Sequence, residues 1–224
     1  MPLARRAETL RPRKKPLQMR SRATVDVLLR AAAQVFATRG YAAATTNHIA
    51  ARAGVSIGSL YEYFPGKDAL LVALAEQHIS EGAAILARVW SEVGPEEEVP
   101  DIVRRFARAM FDLHAHDRPL HRLLFEEAPL PRQTRRRVSQ IESAIAEQLA
   151  GYLSKEPRRT RRDPMLAAQV IVQCIEAVTH KQIVHGDSKA DTSTWVEEIV
   201  ALVTAYLAAA PAAGAGRMRS GQRT

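Results

Sequence analysis

The chain has 224 residues, of which 46% are hydrophobic and 25% are charged, and its formal net charge is +8. This length suits one large domain or two small ones, and the composition is ordinary for a soluble globular protein. The single cysteine, Cys174, excludes a disulfide framework and a thiolate zinc site and suits a reducing cytoplasm. No apolar run reaches about 18 residues, so we expect no membrane span.

The positive charge is concentrated at the N-terminus. Residues 1–22 contain eight basic side chains and one acidic side chain, whereas the segment 23–210 is close to neutral. A basic arm of this kind indicates contact with a polyanion, and Pro12 and Pro16 disfavour helix within it. A solvated tail without a partner is the alternative that composition leaves open. The arm lacks the apolar segment of a secretory signal.

Helical periodicity follows the arm, and no run of alternating β-branched residues predicts a strand. Glycines are expected to end helices, and Ser, Thr or Asp side chains are expected to cap their first turns. These signals predict helices over about 22–39, 46–53, 57–64, 67–93, 101–116, 119–129, 132–153, 164–185 and 193–210. The boundary residues are Gly40, Thr45, Gly54, Ser56 and Asp163. The sequence therefore predicts an all-α fold of about nine helices.

Two of these helices are short and are joined by a tight turn that contains Gly54. This is the plan of a helix-turn-helix, whose second helix enters the major groove of DNA. Leu60 and Phe64 are expected to face the core, and the rest of the second helix carries one charge, Glu62. Small and hydroxyl side chains at its start allow close approach to bases and phosphates.

Lys67 lies in the first turn of the following helix, where a cation opposes the helix dipole by about 0.3–1 kcal/mol. Asp68 beside it offsets part of this cost. A phosphate placed there would be bound by Lys67 and by free backbone N–H groups, so the position predicts a phosphate contact. An indifferent surface lysine is the alternative.

The segment AAAQVFATRGYAAATTNHIAARAGVSIGSLYEYFPGKDALL resembles the DNA-binding domain of the TetR/AcrR family of bacterial transcriptional regulators. The shared features are F-x-x-x-G-Y, T-T-x-x-I-A-x-x-A-G-V-S and G-S-L-Y-x-Y-F-x-x-K-x-x-L-L, over about residues 22–71. The resemblance implies phosphate contacts from Thr46, Tyr63 and Lys67. It places Asn47 and His48 near the DNA backbone. The residues it implies in the groove are Ser56, Ile57, Gly58, Ser59 and Tyr61.

We therefore expect a basic arm over 1–21, a DNA-binding domain over 22–66, a regulatory and dimerisation domain over 67–210 and a disordered tail over 211–224. Arginines of the arm can follow the DNA backbone or lie in an adjacent minor groove. The candidate DNA-binding residues of the arm are Arg13, Lys14, Lys15, Arg20 and Arg22.

The resemblance implies that the C-terminal helices form a dimer interface and often enclose a ligand pocket. The last two helices are the most apolar, and they pack either against a twofold copy or within one chain. On the first interpretation, charged substitutions at Ile175 and Val203 give monomers. Candidate pocket residues, for which a plain core is the competing interpretation, are Phe106, Met110, Phe111, His114, Leu124, Phe125, Cys174 and His180.

We expect no metal site, no cofactor and no catalytic residue. His114 and His116 are two residues apart and lie on different helix faces, with no cysteine or carboxylate at ligand spacing. Cys174 has no evident base beside it in sequence. A glycine-rich phosphate loop and a G-x-S-x-G nucleophile elbow are both missing from the sequence.

Three functions remain. The first is a cytoplasmic homodimeric repressor that binds a palindromic operator in double-stranded DNA and is released by a small-molecule effector. The second is a regulator of the same fold whose C-terminal half only dimerises or binds a protein partner. The third, a helical enzyme, would need a cluster of acid, base or nucleophile that the sequence does not contain. We expect the first.

Overall fold

The computed structural model describes residues 19–128, 130–155, 160–186 and 191–209, with the side chains of residues 19–21 outside the description. Within these ranges every element is helical and no strand occurs, which confirms the all-α fold. The elements are α1 (Met19–Ala43), α2 (Thr46–Ala53), α3 (Ile57–Tyr63), α4 (Lys67–Ser91), α5 (Val99–His116), α6 (Arg118–Arg122), a π-helical turn (Leu123–Glu127), α7 (Arg132–Ser154), α8 (Pro164–His185) and α9 (Thr192–Ala208).

Side-chain caps fix where several helices begin. The oxygens of Thr45, Ser56 and Asp163 each accept a hydrogen bond from the backbone N–H three residues further on, as predicted from the sequence. Asp191 caps α9 in the same way. Each such cap satisfies one of the N–H groups that a helix leaves unpaired in its first turn.

Two elements differ from the prediction. α1 begins at Met19, three residues earlier than expected, and ends at Ala43, with a break at Gly40, where φ is 70°. The segment expected as one short helix between 119 and 129 forms α6 and then widens into the π-helical turn, closed by Ala128 N–H donating to the carbonyl of Leu123 at 2.9 Å. The arm over 1–18 and the tail over 210–224 lie outside the described residues.

The molecule has two hydrophobic cores. The N-terminal core is formed by α1, α2, α3 and the first turns of α4, and its fully buried side chains include Leu28, Ile49, Leu60, Phe64 and Leu70. The C-terminal core is formed by the end of α4 with α5, α7, α8 and α9. The first core holds α2 and α3 as a helix-turn-helix, and the second forms a larger helical domain.

Two elements contribute to the packing of both domains. α4 starts in the N-terminal core with Leu70 and reaches the C-terminal core with Leu86. The π-helical turn buries Leu123 and Leu124 in the N-terminal core, while the next residue, Phe125, contacts aromatic side chains of the C-terminal domain. The two domains are therefore joined by packed side chains as well as by the chain itself.

α4 is also the one helix in the described part of the chain that is long and apolar enough to span a membrane. Half of its most apolar stretch is buried within the protein. The two ends of α4 pack into the two cores described above. Burial in these cores explains why the helix is apolar.

Ile175 and Val203, expected at a dimer interface, are instead buried in the C-terminal core of the same chain. The exposed apolar side chains of α8 and α9 are different ones, namely Met165, Leu166, Val170 and Leu202. Charged substitutions at Ile175 and Val203 would therefore disrupt the fold of one chain, because they would bury an unpaired charge. They do not test dimerisation.

Gly54 ends α2 with φ at +69°, a left-handed conformation that disfavours any side chain, although no atom lies within 4 Å of an added Cβ. We predict that Gly54→Ala lowers the free energy of unfolding by about 1 kcal/mol through backbone strain alone. Thermal unfolding of the purified variant measures this loss.

Gly58→Ala is the matched control, because Gly58 lies in helical backbone and its added Cβ would be 3.7 Å from Ser56 Oγ, an ordinary contact. We expect this variant to be as stable as the wild type or slightly more stable. Equal unfolding temperatures for both variants would contradict the strain argument.

Candidate DNA-binding surface and effector cavity

α3 has one face in the core and one face toward solvent. Leu60 and Phe64 are fully buried, whereas Ile57 and Tyr61 are 37% and 41% exposed. Ser56 and Gly58 at the start of α3 are also exposed, and Ser59 is half-buried. Apart from the exposed Glu62, the exposed side chains are thus small, hydroxyl or apolar, which is the surface expected to meet base edges.

Hydroxyl groups around this face are already hydrogen-bonded to each other. Ser56 Oγ accepts from Ser59 N–H at 3.0 Å and lies 2.9 Å from Ser59 Oγ. Thr46 Oγ1 of α2 lies 3.0 Å from Tyr61 OH of α3. The first pair stabilises the start of α3, and the Thr46–Tyr61 bond links α2 to α3 before any DNA is bound.

The other predicted DNA-binding residues have different settings. Asn47 and Arg22 are exposed, Thr46 is half-buried, and Tyr63 is partly buried against the N-terminal core. His48 is half-buried on α2. Arg13, Lys14 and Lys15 and the side chain of Arg20 lie outside the described residues, so their role remains a prediction.

Lys67 has a role that the sequence analysis did not anticipate. Its Nζ donates hydrogen bonds to the carbonyls of Tyr41, Ala42 and Ala44, at 2.8, 3.1 and 3.0 Å. It also lies 4.5 Å from the centre of the Tyr41 ring. An ammonium has three N–H groups, and here all three are used on the carbonyls that end α1.

The Tyr41 side chain adds a second link at the same place. Its hydroxyl donates to Asp68 Oδ1, and burial, followed by this hydrogen bond and the negative charge of Asp68, raises the pKa of Tyr41. α1 and α4 are therefore joined by two adjacent residues of α4. We interpret Lys67 first as a cap of α1, and its contact with phosphate remains a prediction.

The C-terminal domain contains an apolar cavity of about 110 Å³ between α4, α5, α7 and α8. Four predicted pocket residues line it, namely Phe106, Met110, His114 and Phe125. Phe111 is buried in the C-terminal core, and neither Cys174 nor His180 is among the cavity-lining residues. Burial raises the pKa of the half-buried Cys174 thiol, which favours its protonated form.

A second cavity of about 250 Å³ lies against the first, and Leu124 lines this one. Six side chains belong to both cavities and form a shared wall: His78, Ile79, Phe125, Val138, Glu142 and Glu176. Burial, followed by the nearby charge of Glu176, raises the pKa of Glu142. The shared wall is therefore half apolar, and its other three side chains are one histidine and two glutamates.

The largest space, about 1010 Å³, is a groove between α1, α4 and α5. Charged side chains line much of it, including Asp26, Arg30, Glu81 and Arg88. A ligand pocket is usually lined mostly by apolar side chains, so the smaller cavities fit that role better than the charged groove does.

A cluster of buried histidines lies beside the cavities. His78 of α4, His114 of α5 and His121 of α6 are each at least nine-tenths buried. Burial is the main cause that lowers their pKa values, to about 3 for His114 and about 2 for His121. His180 of α8 joins the cluster through its Nδ1, 2.9 Å from His121 Nε2.

Sequence reasoning missed this cluster because its members come from four separate helices. Within α5, His114 and His116 do lie on different faces, His114 buried and His116 exposed, so this pair alone predicts no metal site. The sequence does place several histidines on helices with apolar faces. Whether these histidines come together depends on how the helices pack, which the sequence pattern does not show.

The capping role of Lys67 predicts that Lys67→Met, which keeps the apolar stem and removes the ammonium, destabilises the protein. The expected loss of unfolding free energy is about 1.5–3 kcal/mol, the range for hydrogen bonds to a charged group. A cap leaves the salt dependence of DNA binding unchanged, whereas loss of a phosphate contact lowers the salt slope by about one. Tyr41→Phe keeps the cap and the ring, so it is the control.

The cap would be refuted by a Lys67→Met variant with wild-type stability and a reduced salt slope. Thermal unfolding and DNA titrations at several salt concentrations measure the two quantities separately.

Two family models match the chain. Residues 28–74 match bacterial regulatory proteins of the tetR family, and residues 99–207 match the tetracyclin repressor-like C-terminal domain. The HTH-type transcriptional activator FasR of Mycolicibacterium smegmatis is 36% identical over 99 residues. That match spans 44% of this chain and 44% of FasR, less than half of either protein.

Solved structures show the same fold. The fatty acid degradation regulator FadR from Bacillus halodurans matches with a TM-score of 0.65 at 23% identity, covering 87% of this chain and 98% of FadR. A FadR from Bacillus subtilis, solved in complex with stearoyl-CoA, matches with a TM-score of 0.62 at 22% identity, covering 80% and 97%. With both domain models matched over most of the chain, this protein belongs to the TetR family of transcriptional regulators.

Proposed function

We propose that this protein is a homodimeric transcriptional repressor that binds a palindromic operator and leaves it when a small-molecule effector occupies the C-terminal cavity. The observation that carries the proposal is the π-helical turn. Leu123 and Leu124 are buried in the core of the DNA-binding domain, and Phe125 lines the cavity. A ligand that displaces Phe125 would therefore move residues on which the DNA-binding domain is packed.

The exposed face of α3 supports sequence-specific DNA binding. Ile57 offers an apolar surface that suits a thymine methyl group, and Tyr61 offers a flat ring with a hydroxyl. Ser56 and Gly58 leave the start of α3 narrow, which favours entry into the major groove. A cytoplasmic location follows as part of the proposal, because the chromosome is there.

The proposed dimer interface is the exposed side of α8 and α9. Leu166 and Leu202 are 50% and 56% exposed, and Val170 is also exposed. Most of their exposed neighbours on the same faces are uncharged, namely Gln169, Gln173, Ala177, Ala201 and Ala205, and the exposed charges there are Lys181 and Glu198. An apolar, weakly charged pair of helix faces suits a twofold four-helix contact.

The chemical class of the proposed effector follows from the cavity walls. They are mostly apolar, and the stearoyl-CoA bound by the Bacillus subtilis FadR has a long apolar chain. Ligand pockets usually measure about 300–1,000 Å³, so the 110 Å³ cavity alone is small. Displacement of the Phe125 side chain would join it to the neighbouring cavity of about 250 Å³. We therefore propose an effector with an apolar chain.

The alternative is a regulator of this fold that dimerises or binds a protein without any small-molecule effector. The modest size of the first cavity is the observation that favours it. Activation in place of repression is a further outcome to distinguish, since FasR is named an activator. Operator-driven transcription with and without acyl-chain compounds separates these cases.

The dimer model predicts that Leu166→Glu together with Leu202→Glu gives a folded monomer with at least tenfold weaker operator binding. Both side chains are half-exposed in one chain, so the fold of that chain tolerates the charges, while a dimer contact would bury them unpaired. Light scattering gives the mass, and circular dichroism reports the fold.

Ile57→Glu is the matched control, because it adds the same charge to an exposed apolar side chain on α3. We expect it to remain dimeric while losing operator binding. A monomeric wild type at micromolar concentration, or a double variant that is still dimeric, would contradict the interface.

The arm gives a separate prediction about salt. Each phosphate that is neutralised adds about 0.9 to the salt slope of duplex binding. If two or three arm cations engage in each subunit, a chain that starts at Met19 should show a slope smaller by roughly four to five. Its unfolding temperature should be unchanged, because the arm has few apolar residues to bury.

Operator titrations of both chains at several salt concentrations between about 50 and 200 mM measure this slope. Phosphate contacts change the affinity strongly over this range. Equal affinity and equal slope would show that the arm does not contact DNA.

A further inference from the structure

Three histidines from three helices bring one ring nitrogen each to a common point. A ring nitrogen of His78, one of His114 and one of His121 all lie within 4.8 Å of one another. The rings of His114 and His121 stack with their centres 3.9 Å apart, and the His78 ring centre is 5.7 Å from that of His121. Nitrogens bound tetrahedrally to zinc are about 3.4 Å apart, given bonds of about 2.0–2.1 Å. Cation binding therefore requires the three nitrogens to approach one another from within 4.8 Å to about 3.4 Å.

Each of the three side chains has a buried nitrogen without a hydrogen-bond partner among the described residues. These atoms are His78 Nε2, His114 Nδ1 and His121 Nδ1. An unpaired polar atom in a protein interior costs about 1–3 kcal/mol, and three at one place is unusual. A shared ligand would satisfy all three at once.

The neighbours of His121 set which of its nitrogens carries a hydrogen. His121 Nε2 lies 2.9 Å from His180 Nδ1, and His180 Nε2 lies 3.9 Å from the carboxylate of Glu126. That carboxylate is closer to His185, whose Nε2 lies 2.6 Å from the same oxygen, so among the described residues His180 is the one side chain shown to hydrogen-bond His121. In the tautomer that can bind a cation, His121 Nε2–H donates to His180 Nδ1. His121 Nδ1 then presents a lone pair to the cluster. Metal-bound histidines are commonly oriented by such a second hydrogen bond.

We propose that His78, His114 and His121 bind a divalent cation of the zinc type, with His180 holding His121 in the binding tautomer through their hydrogen bond. Three imidazoles without a carboxylate among them favour Zn²⁺, Co²⁺ or Ni²⁺ over Mg²⁺ and Ca²⁺, which prefer oxygen ligands. His78 and His114 also line the apolar cavity, so the fourth position is open to water or to a donor atom from that side. Metal binding is measured without DNA or effector and does not depend on the proposed repressor function.

The site would link three elements that otherwise touch through apolar contacts. His78 lies on α4, whose first residue, Lys67, adjoins the DNA-binding domain. His121 lies two residues before Leu123, the first residue of the π-helical turn. Phe125 packs against the His121 ring, with centres 4.4 Å apart, and covers the cluster. A bound cation would therefore stiffen the connection between the cavity and the DNA-binding domain.

The test uses the untagged full-length protein after removal of metal with a chelator. Titration with Co²⁺ should give one ion per chain and the intense visible absorption of a tetrahedral site, and Zn²⁺ should displace it. X-ray absorption of the zinc form should show about three imidazole nitrogens at about 2.0 Å. At a free Zn²⁺ concentration of about 100 times Kd, the unfolding temperature should rise by about 5–10 °C.

Variants locate the site. His114→Phe keeps a ring of similar shape and removes the ligand, so it should lower Co²⁺ affinity at least 100-fold and abolish the visible absorption. His180→Ala, which removes an orienting partner, should lower affinity by about 10–100-fold while one ion still binds. His116→Ala is the matched control, because His116 is exposed near the end of the same helix, and its affinity should equal that of the wild type.

Circular dichroism of the metal-free variants confirms their folds, and the wild-type titration does not depend on any variant. A chelated wild type that binds no Co²⁺ at micromolar concentration would overturn the proposal. So would stoichiometric binding that His114→Phe leaves unchanged, since that result places the ion on surface histidines.

Discussion

The main constraint on this molecule is that adjacent residues of one short turn belong to two domains. Leu123 and Leu124 fill the N-terminal core, while Phe125 packs on His121 and lines the C-terminal cavities. A π-helix has more residues in each turn than an α-helix, and the side chains of this turn contact both the N-terminal core and the C-terminal cavities. Leu123 and Leu124 lie in a close-packed core, which resists continuous deformation, so a backbone shift at Phe125 would be transmitted to that core.

The second connection between the domains is α4. At its first residue, Lys67 caps the carbonyls that end α1, and eleven residues later His78 reaches the histidine cluster. A helix rises about 1.5 Å per residue, so these two positions are about 16 Å apart along one rigid element. The orientation of α2 and α3 is therefore fixed by the same helix that forms a wall of the cavity. An effector or a cation at that wall acts on α4 directly.

Local patterns in the sequence predicted the helix-turn-helix well because its determinants are local. The spacing of Leu60 and Phe64 gives the buried face of α3, and Thr45 and Ser56 are caps whose hydrogen bonds reach only three residues. Ser56, Ile57, Gly58 and Tyr61, which were predicted to meet DNA, accordingly lie on the exposed face.

The C-terminal domain was harder to predict because its features depend on how helices meet. Ile175 lies on a helix that is apolar on several sides, and periodicity cannot show which side faces the same chain. The histidine cluster draws on residues up to 102 positions apart, from His78 to His180. The phosphate contact predicted for Lys67 rested on its place in the first turn of α4. Its hydrogen-bond partners, the carbonyls at the end of α1, could not be predicted because they become neighbours of Lys67 only after folding.

On this model, DNA binding at α3 and ligand binding in the C-terminal cavity are coupled through the π-helical turn and α4. Coupling is reciprocal, so an operator that binds α3 must alter the distant side of the same connection. The most direct measurement is amide hydrogen exchange of the full-length protein with and without an operator selected from random duplexes. If the coupling exists, operator binding changes protection in Leu123–Glu127 and in α4 around His78, in addition to α2 and α3. Changes confined to α2, α3 and the arm would contradict it.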